Sequence, residues 1–136
     1  MADSVKLVCI PPDMIPKVWP MVWEMVDRGY AEADELLPED IEQSLLNKKM
    51  LLWVALQDGH ACAAMTTTLY RGRSGLHMYL VACGGDRLLV WKHLMAEIEK
   101  YARAEGCVKI RAQGRRGWLR TLHGFSIDRV IFEKRL

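Results

Sequence analysis

Two titratable side chains, His77 and Tyr79, lie two residues apart within the apolar run Leu76–Cys83. This run has the composition of a buried β-strand, and alternate residues of a strand point to the same face of the sheet. We therefore expect the imidazole and the phenol to share one face, where they could exchange protons with a bound substrate. The structural alternative is a polar sheet face packed beneath a helix.

A glycine-rich junction, Gly84-Gly85-Asp86, follows that run and precedes an amphipathic helix that starts near Arg87. The first turn of a helix has unpaired backbone N–H groups and a partial positive charge, both of which favour phosphate groups. Glycine allows a ligand to approach the backbone closely because it has no Cβ. The junction therefore predicts a binding site for a phosphorylated cofactor.

The hydrophobic periodicity indicates how these residues are positioned. Alternation and apolar runs predict strands, and three- and four-residue spacing predicts helices. The predicted elements in chain order are a strand at Val5–Ile10, helices from about Pro16 to Gly29 and from Pro38 to about Lys49, strands at Leu51–Leu56, Ala61–Tyr70 and Leu76–Cys83, a helix from about Arg87 to Gly106, a strand at Val108–Ala112, a short helix at Gly117–Leu122 and a strand at Ile127–Leu136.

The connections between these elements predict the sheet. Asp58-Gly59 is typical of a tight two-residue hairpin turn, so the three central strands should be antiparallel neighbours. A helix joins Leu76–Cys83 to Val108–Ala112, and such a crossover makes the two strands parallel. We expect an α/β fold with a single mixed, mostly antiparallel sheet flanked by helices, forming one domain over residues 1–136.

Composition excludes several classes of function. The net charge of +2 is too small to indicate nucleic-acid binding, and no 18-residue apolar run is present to span a membrane. No secretory signal is recognisable, so a cytoplasmic protein is expected. The four cysteines and four histidines are isolated from one another, which predicts buried free thiols and no metal site.

The order of elements resembles that of the Gcn5-related N-acetyltransferase (GNAT) family over nearly the whole chain. The stretch Leu51–Ala55 followed by Asp58-Gly59, and His123-Gly124-Phe125 before the last predicted strand, strengthen the match. The run from Gly114 to Trp118, with Cys83-Gly84-Gly85 upstream, is similar to small GNAT-like proteins of tailed-phage and prophage genomes.

This resemblance implies that the strands Leu76–Cys83 and Val108–Ala112 splay apart and that the pantetheine arm of acetyl-CoA lies between them. The expected acetyl-CoA-binding residues lie around the junction: Val81, Ala82, Gly84, Gly85, Asp86, Arg87 and Leu88. The chain departs from the family at two places. Leu88 and Val90 stand near the two positions where the family has small residues, and Arg120 replaces a tyrosine that often serves as the acid. His77 and Tyr79 are then the catalytic candidates.

An acidic stretch between the first two helices includes Glu32, Asp34 and Glu35, which in the family would border the acceptor site and attract an amine. Carboxylates also collect at helix starts because of the helix dipole, which is the alternative explanation.

The C-terminal part contains a basic cluster that could bind CoA phosphates, a nucleic-acid backbone or acids on a protein partner, or form a solvated loop. Its members are Lys109, Arg111, Arg115, Arg116, Arg120 and Arg129, and Trp118 lies among them. Two functions follow. The first is an acetyl-CoA-dependent N-acyltransferase acting on a primary amine. The second is a non-catalytic phage-type accessory protein, associated with a virion or host protein, that uses the fold as a binding module.

Overall fold

The structure is a computed structural model that describes residues 5–30, 36–85, 88–114, 119–120 and 122–136. Its five strands form one sheet in chain order. The strands are β1 (Val5–Ile10), β2 (Leu51–Gln57), β3 (His60–Gly72), β4 (Gly75–Gly85) and β5 (Cys107–Ala112). Strands β1 to β4 are antiparallel neighbours, whereas β4 and β5 are parallel. The predicted mixed, mostly antiparallel sheet is confirmed.

The hairpin between β2 and β3 has the predicted turn. Asp58 and Gly59 both have positive φ angles, of 53° and 80°. Two consecutive residues with positive φ form the tight turn whose twist matches that of the flanking strands, and Asp-Gly is a preferred sequence for it. This turn fixes the register in which Gln57 pairs with His60.

Three α-helices cover the two faces of the sheet: α1 (Ile15–Tyr30) after a short 3-10 turn, α2 (Pro38–Leu46) and α3 (Leu88–Ala104). We call the side covered by α1 and α2 the α1 face. Its core contains Ile15, Trp19, Val22, Val26, Ile41, Leu45, Leu52, Val54, Ala64, Val81 and Ala82. We call the opposite side the α3 face. Its core contains Trp53, Ala55, Ala63, Met65, Met78, Leu80, Leu94, Met95, Ile98 and Ala102.

The helices follow from the sequence pattern. Buried residues of α1 recur at three- and four-residue steps, and Pro38 at the start of α2 has the backbone angle that a first helical turn requires. Asp40 accepts a hydrogen bond from the Leu37 N–H at 3.0 Å, which caps α2. None of the helices formed by the described residues is long and apolar enough to cross a bilayer.

The predicted last strand, Ile127–Leu136, is wrong: this segment has neither helix nor strand conformation. A strand forms only where its N–H and C=O groups find partners, and within the described chain the segment pairs with no strand. Of the predicted short helix Gly117–Leu122, Leu119 and Arg120 form a 3-10 turn and Leu122 lies in a bend, while the other positions fall outside the described residues.

Candidate active site

The two parallel strands pair over only part of their length. Residues Leu76–Leu80 of β4 pair with β5, which ends at Ala112 opposite Leu80. Strand β4 continues to Gly85 and pairs there with β3. Residues Val81–Gly85 therefore have no partner strand on the β5 side within the described chain, and we call this side of β4 the open edge. About half of the backbone N–H and C=O groups of a strand point to each neighbour, so on the β5 side the groups of the open edge meet no strand among the described residues.

A β-bulge marks the start of the open edge. Thr67 pairs with Leu80 and Thr66 pairs with Ala82, so Val81 is an extra residue in β4. Leu80 packs on the α3 face, whereas Val81 and Ala82 both pack on the α1 face. The bulge thus shifts the alternation of side chains by one position from this point to the end of β4.

Both glycines of the open edge are required by packing. A Cβ added to Gly84 would lie 1.9 Å from the Met25 carbonyl oxygen of α1, and one added to Gly85 would lie 2.7 Å from the Ala63 Cβ of β3. Close packing therefore explains both residues without a ligand. Helix α3 starts at Leu88, shortly after the open edge, while Asp86 and Arg87 lie outside the described residues.

His77 and Tyr79 lie on the same face of β4, as their alternation predicts. The Tyr70 ring of β3 contacts both, with ring centroids 5.1 Å from His77 and 6.4 Å from Tyr79. Tyr79 is two residues from Val81 and His77 is four, which places them about 7 Å and about 13 Å along the strand from the open edge. Tyr79 is therefore the nearer of the two candidates.

The environment of His77 is that of a packed core residue. Its side chain is 5% exposed, and its Nε2 atom lies 2.9 Å from the Ser74 hydroxyl oxygen in the turn between β3 and β4. Its Nδ1 atom is buried and has no hydrogen-bond partner within the described chain. His77 also pairs in register with Lys109, so it lies in the part of β4 that is paired with β5 and away from the open edge.

A second group of polar residues lies on the β5 side of Tyr79, and of these the sequence singles out only Arg111, as a member of the C-terminal basic cluster. Arg111 of β5 is the register partner of Tyr79 and lies 3.4 Å from the Tyr70 hydroxyl oxygen. It also forms an ion pair with Asp128. The hydrogen bond with Tyr70 raises the pKa of Arg111 above its ordinary value. Tyr70 could have been found by counting pairs back from the β3–β4 turn, but the parallel register that places Arg111 has no local sequence signal.

Several predicted site residues lie outside the part of the chain that the structure describes. Glu32, Asp34 and Glu35, and likewise Arg115, Arg116 and Trp118, lie outside the described residues. Arg120 is exposed. The predicted acceptor rim and the predicted binding surface for a virion or host protein therefore stay predictions.

The described ranges contain no cluster of three or more histidine, cysteine or acidic residues that could hold a metal ion. None of the four cysteines forms a disulfide among the described residues. Cys9 is exposed and the other three are half-buried, so the predicted burial is wrong for Cys9. Burial raises the pKa of Cys83 to about 12, which keeps it as an unreactive thiol near neutral pH.

Among comparisons with known proteins, only solved structures match this chain. No protein-family profile and no curated protein sequence matches the chain significantly. Solved structures do match. An aminoglycoside acetyltransferase from an uncultured soil metagenomic sample superposes with a TM-score of 0.72 at 14% identity, over 97% of this chain and 96% of that one.

Two further acetyltransferase structures are similar over nearly their whole length. A GNAT family acetyltransferase from Staphylococcus aureus has a TM-score of 0.68 at 12% identity, covering 98% of this chain and 99% of that one. A predicted acetyltransferase from Clostridium acetobutylicum, solved with acetyl-CoA, has a TM-score of 0.70 at 10% identity, covering 97% and 96%. The element order, the partly paired parallel strands and these superpositions show that the chain has the fold of the GNAT acetyltransferases.

Proposed function

We propose that this protein is an N-acyltransferase that transfers the acetyl group of acetyl-CoA to a primary amine. The observation that carries the proposal is the open edge, Val81–Gly85, where β4 continues beyond its β5 partner and leads towards the start of α3. The similar structure from Clostridium acetobutylicum was solved with acetyl-CoA, which supports the same ligand here.

The chemistry of the open edge fits this ligand. Pantetheine is a chain of two amides, and amides pair with the free N–H and C=O groups of a strand edge as a neighbouring strand would. The pyrophosphate would then lie towards the first turn of α3 at Leu88, where helix N–H groups are unpaired. Asp86 and Arg87 are also predicted to contribute to this junction.

The reaction needs two proton transfers. When bound, acetyl-CoA supplies an activated acetyl group as a thioester. The incoming amine loses a proton as its C–N bond forms, and the departing thiolate gains one as the C–S bond breaks. The products are the N-acetylated amine and free CoA.

Tyr79 is the residue we propose for a proton transfer at this site. Its phenol is on the α1 face, two residues from the bulge at Val81. His77 is farther away and packed in the core, so we propose that it positions the Tyr70 and Tyr79 rings instead of exchanging protons with substrate. The acidic residues Glu32, Asp34 and Glu35 remain the proposed attraction for the amine.

The proposal is tested by measuring binding and turnover separately. Acetyl-CoA should raise the melting temperature, because a ligand that binds only the folded state stabilises it. Release of the CoA thiol from acetyl-CoA should then depend on both the protein and an added amine. No melting shift with acetyl-CoA, propionyl-CoA or succinyl-CoA would overturn the proposal.

A further inference from the structure

A pocket lies on the α3 face, between the second half of α3 and the strands β1 and β2. Its volume is about 250 Å³, somewhat smaller than the pockets of about 300–1,000 Å³ that hold drug-sized ligands. Six residues line it: Leu7, Trp53, Glu97, Lys100, Tyr101 and Ala104. The size of the pocket suits a small molecule.

Two aromatic rings form a corner of this pocket. The ring centroids of Trp53 and Tyr101 are 5.1 Å apart, and the ring planes meet at 71°. The Trp53 ring is fixed in place because its Nε1 atom donates a buried hydrogen bond to the Thr67 hydroxyl oxygen at 2.9 Å. Leu7 and Ala104 add further apolar surface. Such a corner offers both a ring face and a ring edge, against which an apolar or aromatic group packs favourably.

The rim of the pocket has one negative and one positive side chain. Glu97 and Lys100 are three residues apart, so they lie at neighbouring positions on the surface of α3. Both are exposed, and neither forms an ion pair within the part of the chain that the structure describes. Each charge is therefore available to a ligand.

The pocket is separate from the open edge. It reaches the sheet at β1 and β2, whereas the open edge belongs to β4, which is two strand spacings, or about 10 Å, from β2. The pocket contacts the second half of α3, whereas the open edge leads towards the first turn of this helix. A ligand of the pocket would therefore leave the open edge accessible to acetyl-CoA.

We infer that this pocket binds a free amino acid with an apolar or aromatic side chain. The ammonium group of the ligand pairs with Glu97, its carboxylate pairs with Lys100, and its side chain packs against Trp53 and Tyr101. Because the two rim charges are exposed, each ion pair contributes only a few-fold to the affinity. Burial of the ligand's apolar side chain supplies the rest.

Isothermal titration calorimetry with L-phenylalanine, in the absence of acetyl-CoA, tests this inference. A ligand this small should bind saturably with a Kd in the millimolar range. Ala104→Phe fills the pocket from an exposed position and should abolish binding without lowering the melting temperature. Ala96→Phe is the matched control, because Ala96 is exposed on the same helix but does not line the pocket, and this variant should bind as wild type does.

The two charges are tested by combining ligand analogues with protein variants. N-acetyl-L-phenylalanine lacks the ammonium group and L-phenylalaninamide lacks the carboxylate, so wild type should bind each about 2- to 5-fold more weakly than L-phenylalanine. In Glu97→Gln the preference for L-phenylalanine over the N-acetyl compound should disappear. In Lys100→Gln the preference over the amide should disappear. Both substitutions are at exposed positions, so both variants should fold.

Four results would overturn the inference: no saturable binding of L-phenylalanine at tens of millimolar, binding that persists in Ala104→Phe, loss of binding in Ala96→Phe as well, or analogue preferences that the charge variants do not change. L-Phenylalanine is itself a primary amine, but binding as an acceptor near Tyr79 would not respond to Ala104→Phe. Since no acyl donor is present, these outcomes do not depend on whether the protein transfers acetyl groups.

Discussion

Gly29, near the end of α1, packs directly against Gly84, near the end of β4. A Cβ on Gly29 would lie 2.0 Å from the Cys83 carbonyl oxygen, and a Cβ on Gly84 would lie 1.9 Å from the Met25 carbonyl oxygen and 3.5 Å from the Gly29 backbone nitrogen. The two distances to carbonyl oxygens, 2.0 Å and 1.9 Å, are far below van der Waals contact, so neither position accepts a side chain unless the backbone moves. The contact joins the helix that leads to the predicted acceptor rim with the strand that carries the open edge.

The first prediction concerns this contact. Gly84→Ala should lower the free energy of unfolding by about 3 kcal/mol, because the added methyl group overlaps a backbone carbonyl that cannot rotate away. Urea denaturation measures the change. Gly59→Ala is the control: a Cβ there meets nothing within 4 Å, so only the cost of its positive φ, about 1 kcal/mol, should appear. Equal losses in the two variants would contradict the packing argument.

Two adjacent threonines of β3 should respond in opposite ways to the same substitution. The Thr67 hydroxyl oxygen accepts a buried hydrogen bond from Trp53 Nε1 at 2.9 Å, whereas Thr66 Oγ1 is buried without a partner in the described chain. Thr67→Val should cost about 1–3 kcal/mol because it leaves the indole N–H unsatisfied. Thr66→Val should be neutral or stabilising by up to about 1 kcal/mol. The same unfolding assay compares them, and equal losses would show that the hydrogen-bond assignment is wrong.

The buried Cys83 thiol should make the protein less stable at alkaline pH. Its pKa is raised from 9.0 to about 12 by burial. Between these values the unfolded chain binds fewer protons than the folded one, so stability is intact below pH 9 and falls as pH rises, by at most about 1.4 kcal/mol per pH unit.

Cys83→Ala provides the comparison, since burial also raises the pKa of Cys9, Cys107 and Tyr101, which contribute to the alkaline loss in both proteins. The stability difference between pH 8 and pH 10 should be smaller in the variant. An unchanged difference would mean that the Cys83 thiol ionises normally in the folded protein.

Tyr79 and His77 should separate catalysis from stability. Tyr79→Phe removes the phenol hydroxyl near the open edge, keeps the ring, and should lower kcat by about 10²–10⁴-fold. His77→Gln disturbs a buried ring bonded to Ser74 and should cost about 1–3 kcal/mol of stability, while lowering kcat less than Tyr79→Phe does. Steady-state kinetics and thermal melts on both variants measure the changes in kcat and in stability. The reverse pattern would assign the proton transfer to His77.

The sequence predicted most of the fold because its signals are local. The Asp58-Gly59 turn set the β2–β3 hairpin, and the helix between β4 and β5 made those strands parallel. The last strand, Ile127–Leu136, was wrong because apolar composition favours a strand but does not supply a partner for it.

The site was harder to predict than the fold. The bulge at Val81 and the pairing of Tyr79 with Arg111 depend on register between strands distant in sequence, which no local pattern encodes. The sequence of the junction indicates a phosphate site, whereas the structure shows that packing against α1 requires Gly84 and packing against β3 requires Gly85.

The central claim is that the open edge of β4 binds acetyl-CoA. Hydrogen exchange of the amides of Val81–Gly85 tests this claim most directly. In the free protein the amides that point away from β3 have no strand partner on the β5 side among the described residues. With millimolar acetyl-CoA, exchange in a peptide covering these residues should slow, while exchange in β1 (Val5–Ile10) should stay the same. Unchanged exchange at Val81–Gly85 would contradict the claim.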